Sequence, residues 1–387
     1  MTISIKKIKV LDIITILMYI AIFKFYIGPQ IIQQITKIVL MGIVVFYLWF
    51  SCSWNKIRNI STPLVVSFLL SSIIGYFGGS VEIKAFFDGV LNVICIYCLY
   101  GVIQQYKKRK ETARLIELLF RMTLIYCVLS FFSIVITGVS IYGTEKVYIF
   151  GYKFLTSYFF VLLTGLYFVR NYNRRISRKK RICFIILAAF SFTISYWVHC
   201  STTMIATAFL VIATIMPDRF KAILQKRKVV LLSICIAGLF PLFVVSLLKV
   251  PQVQYFISQV LGKSLGLTGR LHIYDVLQSI IADRPLFGYG YNSFIVEATA
   301  GYGNAQNGLL EIMVNFGVIG TIFFIVTVYR CVEEKAEINS YGLYVVLYTL
   351  IICSTVEISY NYIFFLTVFL LSSNFESYKL LRRKRSN

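Results

Sequence analysis

The last third of the chain carries polar side chains spaced as though to act together. Arg270 and Arg284 offer guanidinium groups, whose paired N–H donors suit oxyanions. His272, Glu297 and Glu311 offer groups that can take up a proton, and imidazole titrates nearest to neutral pH. Asn307, Glu311 and Asn315 recur every four residues, so on a helix they form one polar stripe. No carboxylate cluster suggests a metal. Proton transfer and anion binding are therefore the chemistry to look for, with no metal and no cofactor expected.

The surrounding elements decide where such groups can sit. The chain has 387 residues, of which 58% are hydrophobic and only 14% charged. A soluble domain carries roughly a quarter charged residues. Mean hydropathy is +0.79. A water-soluble fold leaves too much surface wet to hide such a sequence. A bilayer can hide it, in apolar runs of about 20 residues. These runs predict an all-α polytopic helical membrane protein, a single integral membrane domain over residues 1–387 with about 12 transmembrane helices. The predicted spans are 10–27, 31–51, 62–79, 83–105, 115–139, 154–169, 182–198, 202–216, 229–248, 307–329, 341–356 and 359–376. Lys37 interrupts the second and weakens its insertion. The seventh and eighth lie almost end to end and read as a tight hairpin of short helices. The first follows Lys6, Lys7 and Lys9 without a small-residue cleavage site, so it reads as a retained helix.

Net charge is +23, from 39 Lys and Arg against 16 Asp and Glu. No nucleic-acid motif accompanies it, so no nucleic acid is expected as partner. The charge sits instead in short connections on one side: Lys107 to Arg114, Arg170 to Arg181, Arg219 to Lys228, and the C-terminal run from Lys379 to Arg385. By the positive-inside rule both termini lie in the cytoplasm of a multi-pass protein of the cell membrane. The long connection 249–306, between spans nine and ten, then faces outward. Long ordered connections are usually functional. Nine cysteines are scattered, mostly in apolar runs. Cys95 and Cys98 match a CxxC spacing within a helix, without further ligands, and read as packing residues. No internal repeat is evident, and Arg121 stands almost alone as a mid-span charge. Both points speak against a transporter.

Within the long connection, Leu277, Ile280 and Ile281 share one helical side, while His272, Asp275 and Ser279 share another. This helix is expected to lie on the bilayer or to roof a cavity. Pro285 stops it. A glycine-aromatic turn comes next, from Leu286 to Asn292. The chain then re-enters the membrane at Gln306 and Asn307. Gly317 and Gly320 are small enough to admit a neighbouring helix closely. The plainer readings stand beside these. Arg270 and Arg284 pair with Asp275, Asp283 or lipid headgroups. His272 is ordinary surface. Glu311 lies close enough to water to need no partner.

Four elements in this order carry a resemblance: Gly269-Arg270; Pro285, Leu286, Gly288 and Gly290; Asn307, Leu310 and Glu311; Gly317 and Gly320. They resemble the O-antigen polymerase and ligase superfamily, whose outer loop bears GR, P-L-x-G-x-G and H-N-x-x-L-E elements before a G-x-x-G helix. The motifs span about sixty residues. Where the family has His before Asn, this chain has Gln306. That departure favours the repeat-unit polymerase branch over the ligase branch. Tyr274 stands where many members have Trp, and Ser201-Thr202 where they have Ser-Arg.

The resemblance implies a substrate, oligosaccharide repeats on undecaprenyl diphosphate, and a reaction. A hydroxyl of one repeat attacks the anomeric carbon of another, and undecaprenyl diphosphate leaves. The product would be a surface polysaccharide of O-antigen or capsule type. Arg270 and Arg284 would hold the diphosphate, with Tyr274, Gln306 and Asn307 also binding substrate. Glu311 or His272 would be the base. Membrane lipids, a chain-length regulator and a flippase would be partners. A ligase, or a flippase for lipid-linked sugars, are the alternatives.

Overall fold

The computed structural model describes residues 9–26, 29–51, 61–137, 147–171, 178–248, 250–255, 258–259, 270–332 and 340–373. Gly269, Lys6, Lys7 and the basic residues from Lys379 onward fall outside them. Seven helices are long and apolar enough to cross a membrane. They are α2 (Gln30–Ser51), α4 (Ile83–Lys108), α5 (Thr112–Thr137), α6 (Lys153–Asn171), α7 (Arg178–Trp197), α10 (Arg227–Leu247) and α14 (Gly308–Cys331). Five shorter apolar helices accompany them: α1 (Val10–Ile22), α3 (Thr62–Phe77), α8 (Ser201–Ile215), α15 (Tyr341–Cys353) and α16 (Tyr362–Leu371). Each span expected from hydropathy coincides with one of these twelve. This is an all-α multi-pass membrane protein, with one addition that hydropathy does not signal. Val147–Tyr148 (β1) and Gly151–Tyr152 (β2) pair as a two-residue antiparallel hairpin ahead of α6.

Several details differ from expectation or sharpen it. Lys37 does not break α2, which is one 22-residue helix; the ammonium reaches a polar partner on α4 instead. Arg121 pairs with Glu117 one turn earlier, at 2.8 Å. Helices α7 and α8 do form a tight hairpin. Its three-residue bend, Val198 to Cys200, is turned by His199 at φ +54°.

The basic ends of the helices cluster. Lys9 pairs with Glu111, and Arg114 with Asp12. Arg170 meets Glu117 at 2.7 Å. Lys107 donates to the Ser372 carbonyl, and Arg227 to that of Val332. The opposite end carries the long connection. Its described part contains α11 (Pro251–Tyr255), α12 (Arg270–Asp283) and α13 (Ile295–Ala300). Helix α12 is amphipathic as expected: Ile273, Tyr274, Leu277 and Ile280 are buried, while His272, Asp275 and Ser279 are exposed. The buried face does not lie on lipid. It closes a second small core with Val244, Tyr289, Val296, Ala300, Ala305 and Val314. From Arg270 onward the connection is therefore a roof over the bundle.

That roof is joined to α14 by backbone. At Gly317 the helix is interrupted, with φ +63° and ψ −169°. This is a region that only glycine adopts without strain. In an unbroken helix Val318 N–H would donate to Val314, and Ile319 N–H to Asn315. Here the Val314 and Asn315 carbonyls accept from Tyr289 N (2.9 Å) and Gly290 N (2.8 Å). The N–H groups of Val318 and Ile319 donate to the carbonyls of Pro285 (2.8 Å) and Leu286 (3.2 Å). Four bonds to an extended strip replace two bonds within the helix. Gly317 thus admits the strip rather than a neighbouring helix, and the expected glycine-aromatic turn is that strip. The contact is backbone on backbone. A Cβ on Gly317 would lie 2.3 Å from the Leu286 oxygen, one on Gly288 2.4 Å from the Val314 oxygen, and one on Gly75 of α3 2.1 Å from the Tyr289 oxygen. Gly320 is packed otherwise, against Phe316 and Phe68, whose rings stack at 3.7 Å.

Gly317→Ala is expected to destabilise the fold by about 2 kcal/mol or more, from strain plus displaced backbone. Gly303→Ala, whose added Cβ meets open space, is expected to be neutral. Thermal unfolding of the detergent-purified variants checks the pair; equal midpoints would contradict this packing.

Candidate active site

The broken helix leaves a short first half, Gly308 to Phe316, whose start is tightly held. Asn307 caps it: its side-chain oxygen accepts from Leu309 N and Leu310 N, both at 3.1 Å. Its amide nitrogen donates to the carbonyls of Ala237 on α10 (2.8 Å) and Thr355 (3.1 Å). Gly308 N–H donates to the Ser354 carbonyl at 2.8 Å. Asn307 is fully buried. It ties three elements together.

One turn on, Glu311 is held by neutral donors. Oε2 accepts from Ala305 N at 2.8 Å, and Oε1 from Asn315 Nδ2 at 2.8 Å. The expected polar stripe is thus real, and each member has a different task. Asn307 caps, Glu311 presents a carboxylate, and Asn315 both supports Glu311 and lends its carbonyl to the strip. A cation is not among the ion-pair partners of Glu311 in the described residues. A carboxylate oxygen that accepts one bond keeps further lone-pair capacity.

Glu311 and Asn315 line a cavity of about 180 Å³. Asn92 of α4, Tyr291 and Asn292 of the roof, and Asn361 and Tyr362 at the start of α16 line it too. The remaining wall is apolar, including Phe68, Val93, Ile96, Ile312 and Phe365. Short helices make room for it. Helix α15 stops at Cys353 and α16 starts at Tyr362, so the linking residues stay non-helical inside the protein. Ser354, Glu357, Ser359 and Tyr360 are all buried. Non-helical backbone at such depth is tolerated where protein covers it.

Of the residues expected from sequence to form a site, the cavity wall contains Glu311 alone. Arg270 opens α12 and is bound to the α15–α16 link. It pairs with Glu357, and its Nε donates to the Val356 carbonyl at 3.0 Å. The pair is largely dry, at 19% and 9% side-chain exposure. Its acid partner is Glu357, not Asp275 or Asp283. Arg284 donates to Ser80 Oγ (2.6 Å) and the Gly78 carbonyl (3.1 Å), and lies 4.9 Å from the Tyr289 ring centroid. Both arginines therefore pin the roof, one at each end. Tyr274 donates its hydroxyl to the Gln306 carbonyl at 3.0 Å. Burial pushes that phenol above its usual range, with Arg270 pulling the other way and Glu357 adding to the rise. Gln306 sits at φ +51° and folds its side chain onto Asn304 Oδ1 at 2.7 Å. His272 and Glu297 are exposed on the roof, away from the buried faces of their helices. Asn92, Asn361 and Glu357 went unmarked in the sequence, because nothing local ties them to the outer-loop motifs; Tyr291 and Asn292 close the glycine-aromatic turn, but no role was read for them there.

Residues 155–325 match the model of the Wzy_C family, described as O-antigen ligase. That stretch runs from the start of α6 through the roof to the second half of α14. Members of the family transfer glycans in surface polysaccharide synthesis, as O-antigen ligases or polymerases. A comparison with curated proteins gave no match. The matched stretch supplies Tyr291, Asn292, Glu311 and Asn315 to the cavity, with apolar neighbours from the same half-helix; α3, α4, the α15–α16 link and α16 supply the rest.

Removing one partner of a buried ion pair costs about 3–5 kcal/mol, while replacing both with apolar residues is far milder. Arg270→Ala is therefore expected to lower the unfolding midpoint sharply. The double variant Arg270→Met with Glu357→Leu is expected to regain most of it. An Arg270→Ala protein as stable as the wild type, yet inactive, would instead make Arg270 a substrate ligand.

Proposed function

We propose that this protein joins lipid-linked oligosaccharide repeats at the outer face of a bacterial cytoplasmic membrane. All twelve apolar helices cross the bilayer in this reading, both termini are cytoplasmic, and the connection 249–306 faces outward. The observation that carries it is Glu311: a carboxylate with spare lone pairs on a half-helix inside the matched stretch, facing a cavity beneath the roof.

The chemistry is a single displacement. The acceptor hydroxyl loses its proton to a Glu311 oxygen as its own oxygen bonds to the donor's anomeric carbon. The bond from that carbon to the diphosphate oxygen breaks, and undecaprenyl diphosphate departs with the electron pair. The proton then passes to water. Asn315 and the Ala305 N–H hold the carboxylate in one orientation, which is what a positioned base requires. Asn92, Asn292 and Asn361 offer amide donors and acceptors suited to sugar hydroxyls. The substrate contacts that the resemblance implies for Arg270, Arg284, Tyr274, Gln306 and Asn307 become positioning roles. His272 has no part in the transfer, being exposed on the far face of α12.

A second reading has its own support. The family model is described as a ligase, and a ligase would move finished glycan to a different acceptor. Gln306 counts against it, since its amide is turned onto Asn304 and no imidazole stands there. The family match favours either transfer reaction over a flippase.

Purified protein in nanodiscs, given only lipid-linked repeat, should produce a ladder of lengthening glycans. Glu311→Gln should slow it about 100-fold or more, with unchanged unfolding. Product formed only after a second acceptor is added would favour the ligase. Wild-type rates from the Gln variant would remove Glu311 from the chemistry.

A further inference from the structure

Lys37 carries a charge into an apolar helix, and among the described residues no carboxylate forms an ion pair with it. Its neighbours on α2, among them Ile31, Ile32, Ile35, Ile38 and Val39, are exposed apolar side chains that suit lipid. The ammonium, by contrast, is turned inward. It donates to Asn92 Oδ1 at 2.6 Å and lies 5.6 Å from the Tyr362 ring centroid. Tyr362 donates its hydroxyl to the same Asn92 oxygen. Both partners line the cavity that holds Glu311. The charged groups that act on Lys37 are Asp88, one turn before Asn92 on α4, and Lys24 beyond the end of α1. Asp88 is not an ion-pair partner among the described residues; its contact is with Gln34 Nε2 at 3.5 Å.

A membrane-embedded ammonium is costly unless it meets an anion or water. Here it has one neutral acceptor, a ring face and two donor positions to spare. Asn92 and Tyr362 orient it but do not neutralise it. The missing element is an oxyanion that arrives from the membrane side with an apolar tail. Lysine binds phosphate as a point charge.

We propose that Lys37, held by Asn92 and Tyr362 at the cavity wall, is the docking site for a phosphate oxyanion on a lipid tail. That the native ligand is a prenyl diphosphate bearing glycan rests on the proposed transfer reaction. Docked there, the diphosphate sets its sugar into the cavity that Glu311 lines. Asn92 then serves two ends, holding the ammonium and bordering the sugar.

The test uses sugar-free undecaprenyl diphosphate, titrated into the full-length protein in phosphatidylcholine nanodiscs, with intrinsic fluorescence as readout. Lys37→Met should weaken binding about tenfold or more, and Lys37→Arg should keep it within about threefold. Unfolding midpoints are measured alongside. Should Lys37→Met unfold, Asn92→Ala, which frees the ammonium from its support, should still weaken binding severalfold. A second arm adds phosphatidylglycerol. If that lipid removes the difference between wild type and Lys37→Met, the site takes a bulk phospholipid headgroup and its assignment to a prenyl diphosphate falls. The whole proposal falls if Lys37→Met, or Asn92→Ala in its place, binds the diphosphate like the wild type. Lys37-dependent binding by a protein that makes no glycan ladder would overturn the proposed transfer and leave this site standing.

Discussion

The architecture at the loop-bearing end depends on one exchange of backbone hydrogen bonds. In hydrocarbon a peptide group has no water to turn to, so a helix can be broken only where other groups complete its bonds. Helix α14 is broken at Gly317, and the strip from Pro285 to Gly290 supplies the missing donors and acceptors. Two constraints meet there. The strip's carbonyls come close only because Gly317 has no Cβ, and the strip itself threads only because Gly288 and Gly290 adopt φ of +67° and +93°. Gly75 of α3 completes the seat.

The same exchange shapes the two halves of α14. With its bonds taken over, the first half becomes a separate nine-residue segment, positioned by Asn307 at one end and the strip at the other. Glu311 lies between these two fixed points. Its carboxylate faces the cavity because one end of its segment is anchored to α10 and the α15–α16 link and the other to the strip. The roof is fastened independently by Arg270 on the α15–α16 link and by Arg284 on the end of α3. The two guanidinium groups therefore hold the cavity's cover. In the proposed transfer, the chemistry beneath it falls to Glu311, Asn315 and the amides around them.

Much of this was legible in the sequence. Hydropathy located the apolar helices because lipid demands length and apolarity, and both are local properties. The spacing of Leu277, Ile280 and Ile281 revealed α12. The four-residue recurrence of Asn307, Glu311 and Asn315 revealed the stripe. The glycine motifs were visible as a cluster, but what they did was not. Gly317 looked like a seat for a helix, and only the partner's backbone shows it to be a break. Arg270 and Arg284 were assigned to substrate or to nearby Asp275 and Asp283, because their partners, Glu357 and Ser80, lie 87 and 204 residues away. Lys37 looked like a flaw in a span for the same reason: Asn92 and Tyr362 belong to other helices. Long-range pairing carries no periodic signal, so it has to be seen in three dimensions.

The exchange at Gly317 is open to direct measurement by hydrogen–deuterium exchange on the intact protein in nanodiscs. The amides of Tyr289, Gly290, Val318 and Ile319 should be protected together, as strongly as the interior of α14, although two of them belong to a connecting segment. Gly317→Ala should release all four at once. Fast exchange at Tyr289 and Gly290 beside slow exchange at Val318 and Ile319 would mean an unbroken helix under a loose loop, and would contradict the broken-helix origin of the site.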